Sequence, residues 1–124
     1  MNVADLIGMP YTKEHDCNWL AAVVSKRAEQ GFPEGLETPE DQTEWADKFR
    51  DTLANHYRRI KSPTEGCLAV FEVPYLNGKM EWHCGVVTRP GWMITTRKGV
   101  GVHLCRINTP VWQVSLKGFY IYEK

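Results

Sequence analysis

Asp16-Cys17-Asn18-Trp19-Leu20 decides how this chain folds, because a turn-rich segment, Met9-Pro10-Tyr11-Thr12-Lys13-Glu14-His15, gives way there to an apolar helical run. The spacing predicts that Cys17 stands in the first turn of a helix. The unpaired N–H groups of that turn and the positive end of the macrodipole both favour thiolate over thiol. A cysteine so placed becomes a nucleophile if a histidine distant in sequence reaches it. His83, which opens the apolar strand Cys84-Gly85-Val86-Val87, is placed to be that partner.

Working outward, the helix runs from about Asp16 to Gln30, with Leu20, Val23, Val24 and Ala28 as its apolar stripe and Lys26, Arg27 and Glu29 facing water. Gly31 and Pro33 end it. Ahead of it, Val3 to Ile7 predicts a short helix closed by Gly8 and Pro10. Beyond it, residues 31–37 read as loop. Thr38-Pro39-Glu40-Asp41 is a start signal, with an N-cap hydroxyl, a proline at the first helical position and acids in the first turn. Trp45, Phe49, Leu53 and Tyr57 then recur every fourth residue, and Arg58, Arg59 and Lys61 suit the negative end of that helix.

After Pro63 the period changes from helical to alternating. Cys67 to Val73 and Met80 to Thr88 read as strands around an Asn77-Gly78 turn. Pro90-Gly91 leads into Trp92 to Thr96, and further strands follow at Gly99 to Ile107 and Gly118 to Tyr122. Helices first and strands afterwards is the α+β pattern: N-terminal helices packed on a C-terminal antiparallel sheet of about five strands, the sheet burying one face against the helices.

At 124 residues and 43% hydrophobic, the chain suits one domain, residues 1–124, with a real core. Fifteen basic residues balance fifteen acidic ones, so no net field attracts nucleic acid or an anionic membrane. No stretch reaches the roughly 18 apolar residues of a membrane span, and Met1-Asn2-Val3-Ala4-Asp5 lacks the basic start and apolar core of a signal peptide. Synthesis and retention in the cytoplasm are expected unless another machine carries the product out. The four cysteines, at 17, 67, 84 and 105, form no CxxC pair and are expected to be free thiols, with Cys67, Cys84 and Cys105 filling core.

Four motifs, taken in order, are similar to a known family. They are Gly8-Met9-Pro10-Tyr11 followed by Asp16-Cys17, then Glu65-Gly66-Cys67-Leu68-Ala69-Val70-Phe71, then His83-Cys84-Gly85-Val86-Val87, and then Arg89-Pro90-Gly91-Trp92-Met93-Ile94. Together they resemble the NlpC-type branch of the papain-like cysteine peptidases, the cell-wall peptidase family that bacteria and their phages share. Lys98-Gly99-Val100-Gly101-Val102 resembles phage-tail members in particular. The resemblance implies a papain-like fold in which a helix carrying the nucleophile packs on a sheet carrying the base.

Amide cleavage needs a thiolate, a base that passes the proton to the leaving amine, and donors for the oxyanion. Cys17 is the expected nucleophile, His83 the base, and the Cys17 backbone N–H one oxyanion donor. By the resemblance, Tyr11 is a second donor. The family's orienting residue is a histidine or other polar group on the strand after the base, and here that count lands on Thr95. A threonine hydroxyl can accept from the imidazole, with less electrostatic support than a carboxylate. His103, one strand further, is the alternative third residue. This departure leaves open a weak enzyme, or a fold kept for binding.

His15-x-Cys17, His83-Cys84 and His103-x-Cys105 carry zinc-ligand types but not zinc-site spacing, and adjacent strand residues point to opposite faces. No metal or cofactor is expected. Of the five tryptophans, Trp45 and Trp19 read as core, while Trp82 and Trp92 flank the base and the turn beyond it, where they can wall a substrate groove. The expected function is a cysteine peptidase or amidase cleaving peptide stems of peptidoglycan, carried in the virion as a phage-tail component in contact with other tail or baseplate proteins. The alternatives are a catalytically silent structural or plug protein of such a tail, and a cytoplasmic thiol amidase with a small-molecule substrate.

Overall fold

Both long helices precede the strands. In the computed structural model, which describes residues 1–32, 42–74 and 80–123, α1 spans Cys17–Arg27 and α2 spans Gln42–His56. The strands are β1 (Tyr57–Ile60), β2 (Leu68–Pro74), β3 (Met80–Arg89), β4 (Trp92–Arg97) and β5 (Gly101–Arg106). After the short helix α3 (Pro110–Gln113), β6 (Leu116–Tyr122) completes one six-stranded sheet in the order β1-β6-β2-β3-β4-β5. Every neighbouring pair is antiparallel. The fold is α+β as expected. The Thr38-Pro39 start signal, the Asn77-Gly78 turn and the side chain of Trp45 lie outside the described residues.

Four expectations are corrected. The sheet has six strands, because Tyr57-Arg58-Arg59-Ile60 leaves α2 and pairs with β6, Tyr57 opposite Tyr122 and Ile60 opposite Phe119. Tyr57 therefore does not continue the helical stripe. Arg58 meets Glu123 at 2.6 Å, and Arg59 donates to the Lys117 carbonyl at 3.0 Å. Val3 to Ile7 is a run of turns, not a helix: Leu6 N–H closes on Val3 O at 3.0 Å and Met9 N–H on Leu6 O at 3.2 Å. So short a segment cannot repay helix nucleation, but the turns still bury Val3 and Leu6. α1 stops at Arg27, because Glu29 takes a left-handed φ of 59° and the Gln30 N–H turns back to Ser25 O at 2.9 Å.

The core also departs from the one-sided packing expected. Period-2 alternation in the central strands feeds two apolar clusters, one on each face of the sheet. Leu68, Val70, Cys84, Val86 and Ile94 pack with Leu20, Val24, Phe49 and Leu53 from the helices. Ala69, Phe71, Val87 and Met93 pack on the other face with Ile107 and with Trp112 of α3. Burial on both faces explains why Cys67 to Phe71 carries no polar alternation. Each fully buried aliphatic side chain such as Leu20 or Val24 contributes roughly 1.5–3 kcal/mol.

The segment leading to Cys17 is tied to the free edge of β5. Gly8 N–H donates to Val102 O and Val102 N–H donates to Met9 O, each at 2.9 Å. Gly101 makes this possible: its φ is +82°, and a Cβ there would lie 2.6 Å from Met9 O. At the other end of α1, Arg27 grips both carboxylate oxygens of Asp5 at 2.6 and 2.7 Å. No helix among the described residues is long and apolar enough to cross a membrane.

Candidate active site

Asp16 starts α1. Its extended backbone (φ −91°, ψ −172°) turns the carboxylate over the first turn, where Oδ1 accepts from the N–H groups of Asn18 at 3.0 Å and Trp19 at 2.9 Å. This cap does not use the Cys17 N–H, the donor expected to face an oxyanion. Burial pushes the Asp16 carboxyl up to about 6, a rise opposed by the Trp19 N–H and reinforced by charge on Cys17.

Cys17 is half-buried at the first helical position. Its thiol is held well below the usual range, first by a hydrogen bond from the Cys84 thiol, then by the charge and hydrogen bond of the His83 imidazole and by the Cys84 N–H. Together these outweigh the desolvation that opposes them. The Cys84 thiol moves the other way, because it lies in the core and gives its proton toward Cys17. Of the two sulfurs, Cys17 is the more readily ionised: it has the helix terminus and the imidazole, and Cys84 has neither. Buried Asn18 sits between them, its Oδ1 lying 3.8 Å from Cys17 Sγ and 3.7 Å from Cys84 Sγ.

His83 and Thr95 meet by strand register. Val86 pairs with Ile94, so one further step sets Gly85 opposite Thr95, and His83 stands on the same face two residues along. His83 Nε2 lies 2.7 Å from Thr95 Oγ1, and the Thr95 hydroxyl donates to Cys84 O at 2.9 Å. A hydroxyl has one proton, and here the carbonyl takes it. Thr95 must therefore accept from His83, which places the imidazole proton on Nε2 and leaves the Nδ1 lone pair for Cys17. On its outer side the ring stacks on Trp112, with centroids 5.2 Å apart and 21° between planes, and it meets Phe71 at 6.3 Å. The Arg97 guanidinium covers the same indole at 5.5 Å. Imidazole proton, tautomer and ring plane are thus all held by the fold.

The remaining candidates fall around this trio. His103 pairs with Thr95 across β4 and β5, yet its Nδ1 donates to Gly101 O at 2.8 Å, so Thr95 and not His103 is the group in contact with His83. Tyr11 is half-buried in the anchored segment between Met9 and Thr12, whose hydroxyl accepts from the His15 N–H at 2.9 Å. Trp82 lies on the helix face of the sheet, tilted against Phe49 at 5.8 Å. Trp92 stands at the far end of the β3–β4 hairpin under Arg89 and Arg106. All four cysteines are unpaired thiols, and among the described residues no group of three or more His, Cys, Asp or Glu side chains gathers as for a metal ion.

Sequence reasoning missed Asn18 as a contact of both sulfurs, Cys84 as more than core filling, and Trp112 as the wall behind the base. Only Trp112 had a signal available: Thr109-Pro110 repeats the Thr38-Pro39 start pattern and opens α3.

No family model matches the chain. No curated protein matches it either. Among solved structures it is similar to a Staphylococcus aureus protein described as similar to a lipoprotein of the NLP/P60 family, with a TM-score of 0.56 and 17% sequence identity over 88% of this chain. The chain spans about a third of that protein, 32% of its length. At this identity the likeness is one of fold: the chain has the α+β architecture of an NLP/P60 protein.

Proposed function

We propose that this chain is a cysteine endopeptidase or amidase that cleaves the peptide stems of bacterial peptidoglycan, with Cys17 as nucleophile, His83 as acid–base and Thr95 as the residue orienting His83. The observation that carries the reading is the imidazole bonded to the Thr95 hydroxyl, with its tautomer set by the Thr95–Cys84 carbonyl bond and its charge among the causes that lower the Cys17 thiol. The Cys17 thiolate adds to the scissile carbonyl, and the Cys17 N–H and the Tyr11 hydroxyl hold the oxyanion. His83, protonated by the thiol, gives that proton to the leaving amine. Water, deprotonated by His83, then releases the acyl group from the sulfur and returns the thiol. Trp82 is the proposed apolar wall of the groove.

The likeness to an NLP/P60 protein supports a cell-wall substrate, and the resemblance of Lys98 to Val102 to phage-tail members supports a place in the virion beside other tail or baseplate proteins. The test is release of new amino termini from purified peptidoglycan by the full chain. Cys17→Ala abolishes that release if the reading is right, and an unchanged rate would overturn it. Thr95 in place of a more strongly polar residue favours a second reading, a silent structural component of the tail. That reading gains if wild-type chain leaves peptidoglycan intact while Cys17 alkylates no faster than Cys105.

A further inference from the structure

The Cys84 thiol makes and breaks no bond in the chemistry above, yet it lies against Cys17. Its sulfur lies 3.5 Å from the Cys17 carbonyl oxygen, and both sulfurs contact the one Asn18 Oδ1. The Cys84 thiol therefore lies against the main chain of Cys17. The two cysteines come from different elements, helix α1 and strand β3, so a bond between them would pin the helix start to the sheet. Cys67 and Cys105 pack in the cluster on the opposite face of the sheet and are cut off from this pair.

We infer that Cys17 and Cys84 are a reversible oxidation pair: when the chain meets a hydroperoxide, Cys84 resolves oxidised Cys17 into an intramolecular Cys17–Cys84 disulfide. The thiolate of Cys17 attacks the peroxide, the O–O bond breaks, and the sulfur leaves as sulfenic acid while the peroxide is reduced to water or an alcohol. The Cys84 sulfur then attacks the Cys17 sulfur, the S–O bond breaks, and the departing hydroxide takes the Cys84 proton as water. Two thiols lose two electrons and the peroxide gains them. The Cys84 thiol is held protonated first by its bond to Cys17, then by burial and by the charges of Cys17 and Asp16. Conversion of Cys17 to neutral sulfenic acid removes the restraint that comes from Cys17, so the Cys84 thiol gives up its proton more readily once the first sulfur is oxidised. The half-buried Cys17 admits a peroxide, while Cys84, fully buried, answers only to Cys17. The device spares the sulfur the irreversible sulfinic and sulfonic steps. It needs an accessible Cys17 thiolate but not that the chain cleaves peptides.

The test treats the full reduced chain with hydrogen peroxide, blocks remaining thiols with N-ethylmaleimide and maps the peptides by mass. The expected product links the Cys17 and Cys84 peptides with loss of two hydrogen atoms, leaves Cys67 and Cys105 as thiols, and is restored in full by dithiothreitol. Cys17→Ser abolishes the link. Cys84→Val, which fills the same core space without a thiol, sends Cys17 on to the sulfinic acid beyond recovery by dithiothreitol. Wild-type chain in which Cys17 over-oxidises while Cys84 stays a thiol would overturn the inference, as would a Cys17 link to a second molecule; this mapping decides even if Cys84→Val does not fold. Hydrolysis is not read in this assay. A chain that forms the bond but leaves peptidoglycan intact overturns only the proposed function, and one that hydrolyses without forming it overturns only this pair.

Discussion

Replacing Thr95 by valine keeps the shape of a fully buried side chain and deletes one oxygen, so its effect isolates the hydrogen bond to His83. Two bonds are lost. The 2.7 Å contact to Nε2 becomes charge-assisted whenever the imidazole takes the Cys17 proton, and the 2.9 Å bond to Cys84 O is neutral. A hydrogen bond to a charged group contributes about 1.5–3 kcal/mol, which at about 1.4 kcal/mol per decade is a loss of about 10- to 100-fold in the imidazolium–thiolate state. The neutral bond contributes about 1 kcal/mol to stability, so the melting temperature falls by roughly 4 °C. The assay is the second-order rate of Cys17 alkylation by iodoacetamide below neutral pH, with hydrolysis of peptidoglycan beside it. Both rates should fall together by that factor, and Thr95→Ser, which keeps the hydroxyl, should restore them to within a few-fold. Unchanged alkylation in Thr95→Val, with the melting temperature lowered, would show that the hydroxyl holds the strand and not the base.

The remaining predictions concern the frame of the site. At pH 4, Asp16→Ala should lower unfolding free energy by about 1 kcal/mol and Asp16→Asn by less, since only the former removes the acceptor for the Asn18 and Trp19 N–H groups; urea denaturation reads the difference. The same carboxyl gives a pH signature. Its folded value of about 6 lies above the ordinary 3.8, so the native state binds the proton more tightly, and the resulting stability is fully present below about pH 3.8 and lost as pH rises through 6. Wild type should accordingly lose up to about 3 kcal/mol relative to Asp16→Asn between pH 4 and pH 7, and a constant difference over that range refutes the burial of a charged carboxyl. Gly101→Ala should cost about 2 kcal/mol or more through its positive φ and its collision with Met9 O, and amide exchange should show Gly8 and Val102 losing protection while β2 and β3 keep theirs. Trp112→Ala should lower stability by about 3 kcal/mol or more through lost burial, whereas Trp112→Phe should keep an aromatic face behind His83 and retain most of the alkylation rate.

Much of the fold was legible because its signals are local. Asp16 ahead of an apolar run reads as a cap, and capping is a contact between residues two and three apart. The strand from Leu68 reads out as a short apolar run, and those from Met80 to Arg106 by alternation and by the Pro90-Gly91 break, since each depends on backbone geometry within a few residues. The misreadings fall where a distant element competes with local propensity. Tyr57 to Ile60 continues a helical period on paper, yet its backbone groups are satisfied better by the otherwise open edge of β6 than by one more helical turn. Leu6 follows a helical pattern too short to form, and it is buried through turns instead.

Within the site, sequence alone determined that Cys17 begins a helix and that His83 and Thr95 lie on strands, because those are properties of each residue and its immediate neighbours. Only the tertiary structure decided that Thr95 rather than His103 meets the imidazole, that Trp112 backs it, and that Cys84 shares an oxygen contact with Cys17. Those choices depend on sheet register and on which side of a strand a side chain leaves, and a shift of one residue exchanges the two faces. Register is set by the packing of both apolar faces at once, which no single stretch of the chain contains.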